Sequence, residues 1–398
     1  MRRTSLFPLL AVCVLLTACG ARSELLRSPG GSAVLSAPTA VPQIGFPAMA
    51  TKNTTRVPGS NPIADAAEVA EAVYPSSAPG SHPPAVAVAP TDDWEAAIAS
   101  SVLMAPPIRA PILLSDSTSL PPVSSSALQF LAPAGSGAAG GAQVIRIGDV
   151  AHVGGMRSAS IAATGPFALA AAIDRFATAA AGKPSPDVVV ASADAPQYAM
   201  PAAGWAAESG DPILFVSSSG VPAATKQALL SHQSPHIYVL GPSNVIPDSV
   251  LAQLAKLGTV KRVAGSDPGA NSVAFTIYRD PPCPSGQPCA HVPGSFGWAL
   301  RSPGHGYVLI NAARTLDAAA AAPLSASGTY GPELLLDGAG SLPSSVLNYF
   351  LDYATPGYTA EGPTAAVYNH AWVIGDQHAV SLSVQAEVDT LLEAVPQK

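Results

Sequence analysis

Short, continuously apolar segments alternate with alanine-rich segments along most of the chain, and this order occurs three times. Each copy has an apolar segment, an alanine-rich segment and a second apolar segment that begins with proline. These second segments are Pro111-Ile-Leu-Leu-Ser, Pro212-Ile-Leu-Phe-Val and Pro332-Glu-Leu-Leu-Leu. The offset from the start of the first apolar segment to the proline is 26, 25 and 26 residues (85 to 111, 187 to 212 and 306 to 332). This register predicts three related structural units.

Each copy continues with a further helix and a further strand. A helical pattern starts beside a proline, which is favourable there because its missing N–H would have no helical partner. A buried strand that ends in glycine follows. The prolines are Pro121, Pro222 and Pro343, and the glycines are Gly148, Gly241 and Gly375. Apolar strands alternating with alanine-rich helices indicate an α/β fold of three tandem small units, with mostly parallel sheets covered by helices.

A short polar motif opens two of the copies. Thr55-Arg-Val-Pro-Gly-Ser-Asn-Pro resembles Lys261-Arg-Val-Ala-Gly-Ser-Asp-Pro, and each precedes a predicted helix, near residues 63–73 and 270–278. The first copy is truncated after Gly148, where residues 149–155 replace the expected second helix. We therefore divide the chain into a first repeat (53–155), a second repeat (156–258) and a third repeat (259–398) that carries an insertion at about 281–304.

The N-terminus has the pattern of a bacterial lipoprotein signal, predicted to be residues 1–18. Arg2 and Arg3 precede an apolar segment from Leu6 to Leu16, which is too short to span a bilayer stably. Leu16-Thr-Ala-Cys19 matches a lipobox, so we expect Cys19 to be lipidated and to anchor the protein to the membrane. Residues 19–52 are rich in Ser, Pro, Gly and Ala and are predicted to be a tether.

Two further cysteines, Cys283 and Cys289, lie in the proline-rich insertion of the third repeat. Outside the cytoplasm, a close cysteine pair of this kind predicts a disulfide. A metal site with the nearby His291 and His305 is the alternative, but a second paired-ligand motif is missing, and we predict no bound metal.

Composition narrows the range of functions. Hydrophobic residues make up 48% of the chain and charged residues only 11%, and 19 basic residues face 26 acidic ones for a net charge of -7. This balance disfavours a nucleic-acid-binding protein. Beyond the N-terminus, Pro, Gly and Ser interrupt every apolar run before the ~20 residues of a membrane span, which disfavours a polytopic membrane protein.

The repeated motifs resemble the cell wall-binding repeat 2 family. The features that match are the Arg-Val-x-Gly-Ser opening, the Pro-Ile-Leu-Leu segment, the strand ending in Gly and the copy number of three, over roughly residues 54–395. The resemblance implies compact units packed about a pseudo-threefold axis. It also implies binding to anionic cell-wall polymers, with the Pro-Ile-Leu-Leu segments facing grooves between the repeats.

Candidate ligand-binding residues follow from the ends of these strands, where α/β sheets commonly bind ligands beside helix N-termini. The serines at these ends have helix capping as an alternative role. Arg109 and Lys226 are the candidate cations, among scattered basic residues that include Arg56, Lys261, Arg262 and Arg314. The full predicted set is Arg109, Pro111, Ile112, Leu113, Leu114, Ser115, Ser117, Pro212, Ile213, Leu214, Ser217, Ser218, Lys226, Pro332, Leu334 and Leu335.

Three acidic residues conflict with an anionic ligand. Asp116, Glu333 and Asp337 lie within or just after the proline-led segments, and carboxylates there would repel a polyanion. The third segment reads Pro-Glu-Leu-Leu where the family has Pro-Ile-Leu-Leu. A neutral glycan or a partner protein therefore stays open as the ligand.

Catalytic motifs are absent from the sequence. Gly135-Ser-Gly-Ala-Ala-Gly fits the spelling of a dinucleotide-binding loop, but it precedes a predicted strand instead of following one. We expect a non-enzymatic, monomeric lipoprotein without cofactors, on the outer face of the bacterial cytoplasmic membrane. It would bind cell-wall polymer or glycan through grooves between the repeats and would not bind nucleic acid. The alternative is a substrate-binding lipoprotein of a transport or sensing system.

Overall fold

The structure is a computed structural model that describes residues 49–78, 80–282, 295–327, 331–363 and 366–396. All of these residues belong to one compact unit, Ile44–Lys398. Several predicted features lie outside the described residues. They are the signal, the lipidation site Cys19, most of the tether, the disulfide partners Cys283 and Cys289, and His291. None of the helices that are described is long and apolar enough to cross a membrane.

Strands and helices alternate through the described residues. The strands are β1 (Met49–Ala50), β2 (Thr54–Val57), β3 (Val86–Pro90), β4 (Ile112–Ser115), β5 (Val144–Ile147), β6 (Ser158–Ile161), β7 (Asp187–Ser192), β8 (Ile213–Val216), β9 (His236–Leu240), β10 (Thr259–Val263), β11 (Gly306–Asn311), β12 (Glu333–Leu336), β13 (Gly357–Thr359), β14 (Gly362–Pro363), β15 (His370–Ile374) and β16 (Val395–Pro396). The α-helices are α1 (Pro62–Val73), α2 (Trp94–Ala99), α3 (Pro122–Leu131), α4 (Pro166–Ala181), α5 (Pro196–Ala199), α6 (Pro201–Ser209), α7 (Ala223–Ser231), α8 (Asp248–Leu254), α9 (Pro268–Ile277), α10 (Leu316–Ser325), α11 (Ser344–Tyr349) and α12 (Leu382–Leu391).

Three parallel sheets have the same strand order, which confirms the predicted α/β class with mostly parallel sheets. They run β4-β3-β5-β6, β8-β7-β9-β10 and β12-β11-β15-β2, and the third sheet is extended by the antiparallel strand β1. In each sheet the proline-led strand is an edge strand beside the first strand of its repeat. The register aligns Ile112, Ile213 and Glu333 as equivalent positions on these edge strands.

The fourth strand of each sheet comes from a segment that we assigned by sequence to another repeat. Strand β6 begins the second repeat but pairs with β5 of the first, and β10 begins the third repeat but pairs with β9 of the second. Strand β2, at the start of the first repeat, pairs with β15 near the end of the chain. Each sheet therefore combines two sequence repeats, and the third sheet joins the first repeat to the last.

The opening motif builds the turn from a fourth strand into a helix. Asn61 accepts hydrogen bonds from the Ile63 and Ala64 amides, both at 3.1 Å, at the N-cap of α1, and Asp267 caps α9 in the same way. The glycine of the motif is required by close packing, because a Cβ at Gly59 would lie 2.4 Å from Asp65 Oδ1. The predicted helices over 63–73 and 270–278 are thus confirmed to within two residues.

The connection between the third and fourth strands differs among the three sheets. The structure has a helix between the third and fourth strands of the second sheet (α8), and α12 follows β15 at the equivalent place in the third repeat. Between β5 and β6, all of whose residues are described, no helix is present. The buried side chains of Val150 and Val153 cover that side of the first sheet instead.

Alanine-rich helices from the three repeats contact one another directly. Helix α6 packs against α10 and against the 3-10 helix Ser100–Met104 that continues α2. Gly204 of α6 allows this approach, since a Cβ there would lie 2.5 Å from Ser325 Oγ of α10 and 3.2 Å from Glu333 Cγ. Glu333 is therefore not a surface acid that repels a ligand: it is fully buried at the contact between repeats.

We expect Gly204→Ala to destabilise the protein even though alanine is the better helix former. The added methyl group overpacks the α6–α10 contact, at a cost of 1–3 kcal/mol, against a gain in helix propensity of about 1 kcal/mol. The net loss of unfolding free energy should be up to about 2 kcal/mol in urea denaturation. Adding Ser325→Ala should recover part of it, because Ser325 Oγ is the nearest atom. Gly338→Ala, where nothing lies within 4 Å, is the matched control.

Candidate functional site

The proline-led segments form strands whose side chains are buried, although each lies at the edge of its sheet. Among the predicted ligand-binding residues, those that are buried are Pro111, Ile112, Leu113, Leu114, Ser115, Pro212, Ile213, Leu214, Pro332, Leu334 and Leu335. Their side chains pack inside the sheets, so in this structure they hold the strand ends in position and offer no surface to a polymer. A direct role for them in ligand binding stays a prediction.

Helices also cover the outer side of these edge strands. Helix α1 packs against β4, α4 against β8 and α9 against β12. In the third repeat the Leu335 amide donates a hydrogen bond of 3.1 Å to Ser272 Oγ on α9. Covering an edge in this way removes the unpaired backbone groups that would otherwise attract another strand. The proline-led strands consequently face junctions between repeats that helices have filled.

The loop after β4 is organised by one aspartate. Asp116 Oδ1 accepts hydrogen bonds from the Ser119 amide (2.7 Å), the Thr118 amide (2.9 Å) and the Thr118 hydroxyl (2.9 Å). These bonds to the ionised form lower the pKa of the exposed Asp116 carboxyl. Ser115 is buried and donates to the Asp116 carbonyl, while Ser117 is exposed on the same loop. The loop therefore presents a hydroxyl together with a fixed negative charge.

The loop after β8 has a comparable arrangement. Asp194, which follows β7, accepts a hydrogen bond of 2.6 Å from the Ser218 amide, and the bond lowers the pKa of this exposed carboxyl. Ser217 Oγ and Ser219 Oγ lie 2.7 Å apart and share a hydrogen bond. The predicted Ser217 and Ser218 thus stand beside a carboxylate, as Ser117 does, and this disfavours an anion at both loops.

The two predicted cations lie at opposite ends of their strands. Arg109 is exposed before β4, with a positive φ of 55°, and Lys226 is exposed on α7 after β8. The other basic candidates have internal partners. The Arg314 guanidinium contacts the carboxyls of Asp65 and Asp317, and Lys261 pairs with Asp280. Arg56 and Arg262 bind backbone carbonyls.

A cleft of about 440 Å³ opens at the amino ends of β7 and β8. The sequence pattern did not predict it, because its walls come from all three repeats. The first repeat contributes Pro106, the second contributes the ends of α4 and α6 with the segments that follow them, and the third contributes Ser295 and Trp298 of its insertion. The nearest signal in the sequence is the polar run Lys183-Pro-Ser-Pro-Asp, which precedes β7.

A network of hydrogen bonds forms the floor of this cleft. Ser185 Oγ and Trp205 Nε1 donate to the Asp211 carboxylate at 2.6 and 2.8 Å. Burial raises the pKa of Asp211 to about 6. Beside it, the buried His232 Nε2 lies 2.9 Å from Asp174 Oδ2; burial opposes the charge on the histidine, but the Asp174 carboxylate raises its pKa above the ordinary value. Acceptor groups therefore dominate the cleft.

A second groove of about 310 Å³ lies between α9 and α11. It is lined by apolar residues of α9 together with Tyr349, Tyr353 and Asp352 at the end of α11 and just beyond it. Unlike the cleft, it is lined by residues of the third repeat alone.

Comparison with known proteins finds a matching family model for one part of the chain. Residues 165–251 match the family model Cell wall binding domain 2 (CWB2). The match confirms the resemblance seen in the sequence, and it runs from the start of α4 into α8, so that it contains most of the residues lining the cleft. No curated protein sequence matches the chain.

Two solved structures share the fold at low sequence identity. Cwp6 from Clostridium difficile superposes with a TM-score of 0.64 at 16% identity, and Cwp8 from Clostridium difficile with a TM-score of 0.63 at 18% identity. Each alignment covers 86% of this chain, and 48% of Cwp6 or 52% of Cwp8. The chain thus spans about half the length of these structures.

Proposed function

We propose, from the cell wall binding domain 2 in residues 165–251, that this is a cell-envelope protein that binds cell-wall polymer without catalysing a reaction. The observation that carries the proposal is the position of that match. It covers the repeat whose surface forms the cleft at the junction of the three repeats. In this proposal the polymer lies in grooves between repeats that pack about a pseudo-threefold axis, and it contacts the exposed strand-end loops.

The N-terminal sequence supports a second attachment. Lipidation of Cys19 would tether the domain to the outer face of the membrane, and residues 19–52 would let it reach the wall. With the wall bound by the repeats and the membrane by the lipid, the protein would link the two layers. Labelling with a radioactive fatty acid tests this part, since Cys19→Ser should abolish incorporation.

Retention on purified cell walls tests the binding function directly. The chain that remains after removal of the predicted signal, in unlipidated form, should sediment with walls and should be released by soluble wall fragments. An unrelated lipoprotein domain of similar charge should stay in the supernatant. Absence of sedimentation with both intact walls and walls stripped of anionic polymer would contradict the proposed function.

Arg109→Ala and Lys226→Ala test the predicted cations. Because each side chain is exposed, each substitution should weaken retention on intact walls by roughly two- to fivefold at low salt, the size expected for one exposed charge contact. The effect should vanish at high salt, which screens exposed charges. Equal retention of the double variant and the unmodified protein at low salt would remove these residues from the binding surface.

A further inference from the structure

We propose that the cleft at the amino ends of β7 and β8 binds a glycan of amino sugars, whose hydroxyl, amide or amine groups donate hydrogen bonds. The inference rests on the proposed function and names the class of ligand for this one site. It also assigns a preference against polymers that carry phosphate or carboxylate groups at the cleft.

The charges that line the cleft favour a donor ligand. Its described ionisable residues are the carboxyls Asp174, Asp187, Glu208 and Asp211 and one cation, Lys183. Carboxylates only accept hydrogen bonds when they are ionised, whereas a phosphate or carboxylate ligand needs donors. Even when His232 is charged and pairs with Asp174, the other three carboxyls outnumber the one ammonium group, so the partly enclosed site would repel such a ligand.

The four carboxyls differ in how far they are already engaged. Asp211 accepts from Ser185 and Trp205, and Asp174 and Asp187 each contact a histidine ring nitrogen at 2.9 Å. Glu208, at the end of α6, is half-buried, and none of the described residues hydrogen-bonds to its carboxyl. Glu208 is therefore the group best placed to accept a hydrogen bond from a ligand, while the other three form the wall behind it.

The remaining lining suits the apolar faces of sugar rings. Pro106 and Pro186 are exposed at the cleft and Pro184 is half-buried, so flat pyrrolidine rings line the opening. A pyranose ring has polar edges and C–H faces, and it can pack a face on proline while its edge meets a carboxylate. Sites for small ligands commonly combine an apolar lining with a few placed polar groups in this way.

Isothermal titration of soluble oligosaccharides tests the inference. The probes are a chito-oligosaccharide in N-acetylated form, the same oligomer deacetylated, and a glycerol-phosphate oligomer. We expect one or both amino-sugar oligomers to bind and the glycerol-phosphate oligomer not to bind at this cleft. Comparing the two amino-sugar oligomers shows whether the donor is an amide, as in the N-acetylated form, or an amine, as in the deacetylated form.

Glu208→Gln locates the binding. It should weaken binding of the amino-sugar oligomer about tenfold, because the amide keeps one acceptor oxygen but loses the charge that strengthens the hydrogen bond. Glu387→Gln, an exposed glutamate on α12 outside the cleft, is the matched control and should leave binding unchanged. Asp187→Asn is a second cleft variant, which should also weaken binding, and the melting temperature of each variant reports whether it is folded.

The outcomes separate this inference from the proposed function. If walls retain the protein but neither amino-sugar oligomer binds, the inference is wrong and the proposed function stands. If an oligomer binds equally well to the folded Glu208→Gln and Asp187→Asn variants, the ligand lies elsewhere and the inference is wrong. If an oligomer binds, and if both cleft variants but not Glu387→Gln weaken its binding, the cleft is the binding site.

Discussion

The protein should be more stable at pH 5 than at pH 8, with an unfolding free energy that falls by about 1.4 kcal/mol per pH unit for each buried carboxyl that stays protonated in the folded state. Glu333 is the first such group. Burial raises its pKa well above the ordinary value, which a contact with the Gly204 backbone only partly offsets, and neither carboxyl oxygen makes a well-formed hydrogen bond with the described residues. Asp65 is the second, with a pKa raised to about 9 by burial and by the neighbouring Asp317 carboxyl.

The sign follows from proton counts. An acid whose pKa is raised by folding holds its proton in the folded chain and loses it in the unfolded chain above about pH 4. The unfolded state then binds fewer protons, so stability falls as the pH rises from about 4 towards the folded pKa. His232 acts in the same direction, because its raised pKa gives stability that is lost as the pH rises through the folded pKa.

Other carboxyls determine how far stability is kept as the pH falls. Asp116 and Asp194 have lowered pKa values because they accept backbone hydrogen bonds, so the stability that they give is lost as the pH falls below about 4. Together, the carboxyls with raised and with lowered pKa values place the maximum of the unfolding free energy near pH 5. Thermal unfolding of the protein measured from pH 4 to pH 9 in one buffer series checks the position of this maximum.

The variant Glu333→Ile measures how much Glu333 contributes to the pH dependence of stability. Isoleucine is the residue at the equivalent edge-strand positions Ile112 and Ile213, and it removes two buried oxygens that lack partners. We expect the gain in unfolding free energy to be larger at pH 7 than at pH 4.5 by about 3 kcal/mol, so that stability falls less steeply between the two. Glu361→Gln, a fully exposed site in the same repeat, is the control. A pH profile unchanged by Glu333→Ile would mean that Glu333 is ionised in the folded protein.

The sequence contained enough information for the elements and their class but not for the sheet membership of the fourth strands. Hydrophobic runs and proline-started helices depend on local chemistry, and these elements appear where they were expected. Strand β2 pairs with β15, more than 300 positions away, and nothing local to Thr54–Val57 identifies that partner. The repeated register shows which segments are equivalent, whereas pairing depends on how the repeats pack.

The cleft was not predicted from the sequence, for a related reason. A run such as Pro111-Ile-Leu-Leu indicates burial, and its assignment to a ligand groove came from the family resemblance. Burial and helix cover account for those side chains without a ligand. The cleft, in contrast, joins Pro106, residues 174–212 and Ser295, and only the folded chain brings them together. The same limit applies to Arg56, which as a sequence feature was simply a cation.

Arg56→Ala should cost about 3–5 kcal/mol of unfolding free energy, because it leaves three acceptor oxygens without their donor at about 1–3 kcal/mol for each one that water cannot reach. Arg56 is 1% exposed. Its guanidinium donates to the Gly375 carbonyl at 2.7 Å, to the Asp376 carbonyl at 3.0 Å and to Gln385 Oε1 at 2.8 Å. All three acceptors belong to the third repeat, so this side chain fixes the start of the domain to its end.

An equivalent arginine serves the second sheet, and an arginine on the neighbouring strand serves the first. Arg262 of β10 donates to the Gly241 and Ile246 carbonyls at 2.6 and 2.8 Å, in the loop after β9. In the first sheet Ser160 occupies the equivalent position on β6, and its cross-strand neighbour Arg146 on β5 donates instead to the Val150 and Ala151 carbonyls. The arginine of the opening motif therefore holds the loop that follows the strand ending in glycine.

Arg262→Ala is the matched comparison for Arg56→Ala. Its side chain is 19% exposed, so water can replace part of its hydrogen bonding, and we expect a loss of about 1–2 kcal/mol. Hydrogen exchange should show β2 and β15 losing protection in Arg56→Ala, with the second sheet unaffected. Because Arg56 is internal, wall retention at low temperature should not change in the folded variant. Reduced retention with unchanged stability would instead make Arg56 part of the binding surface.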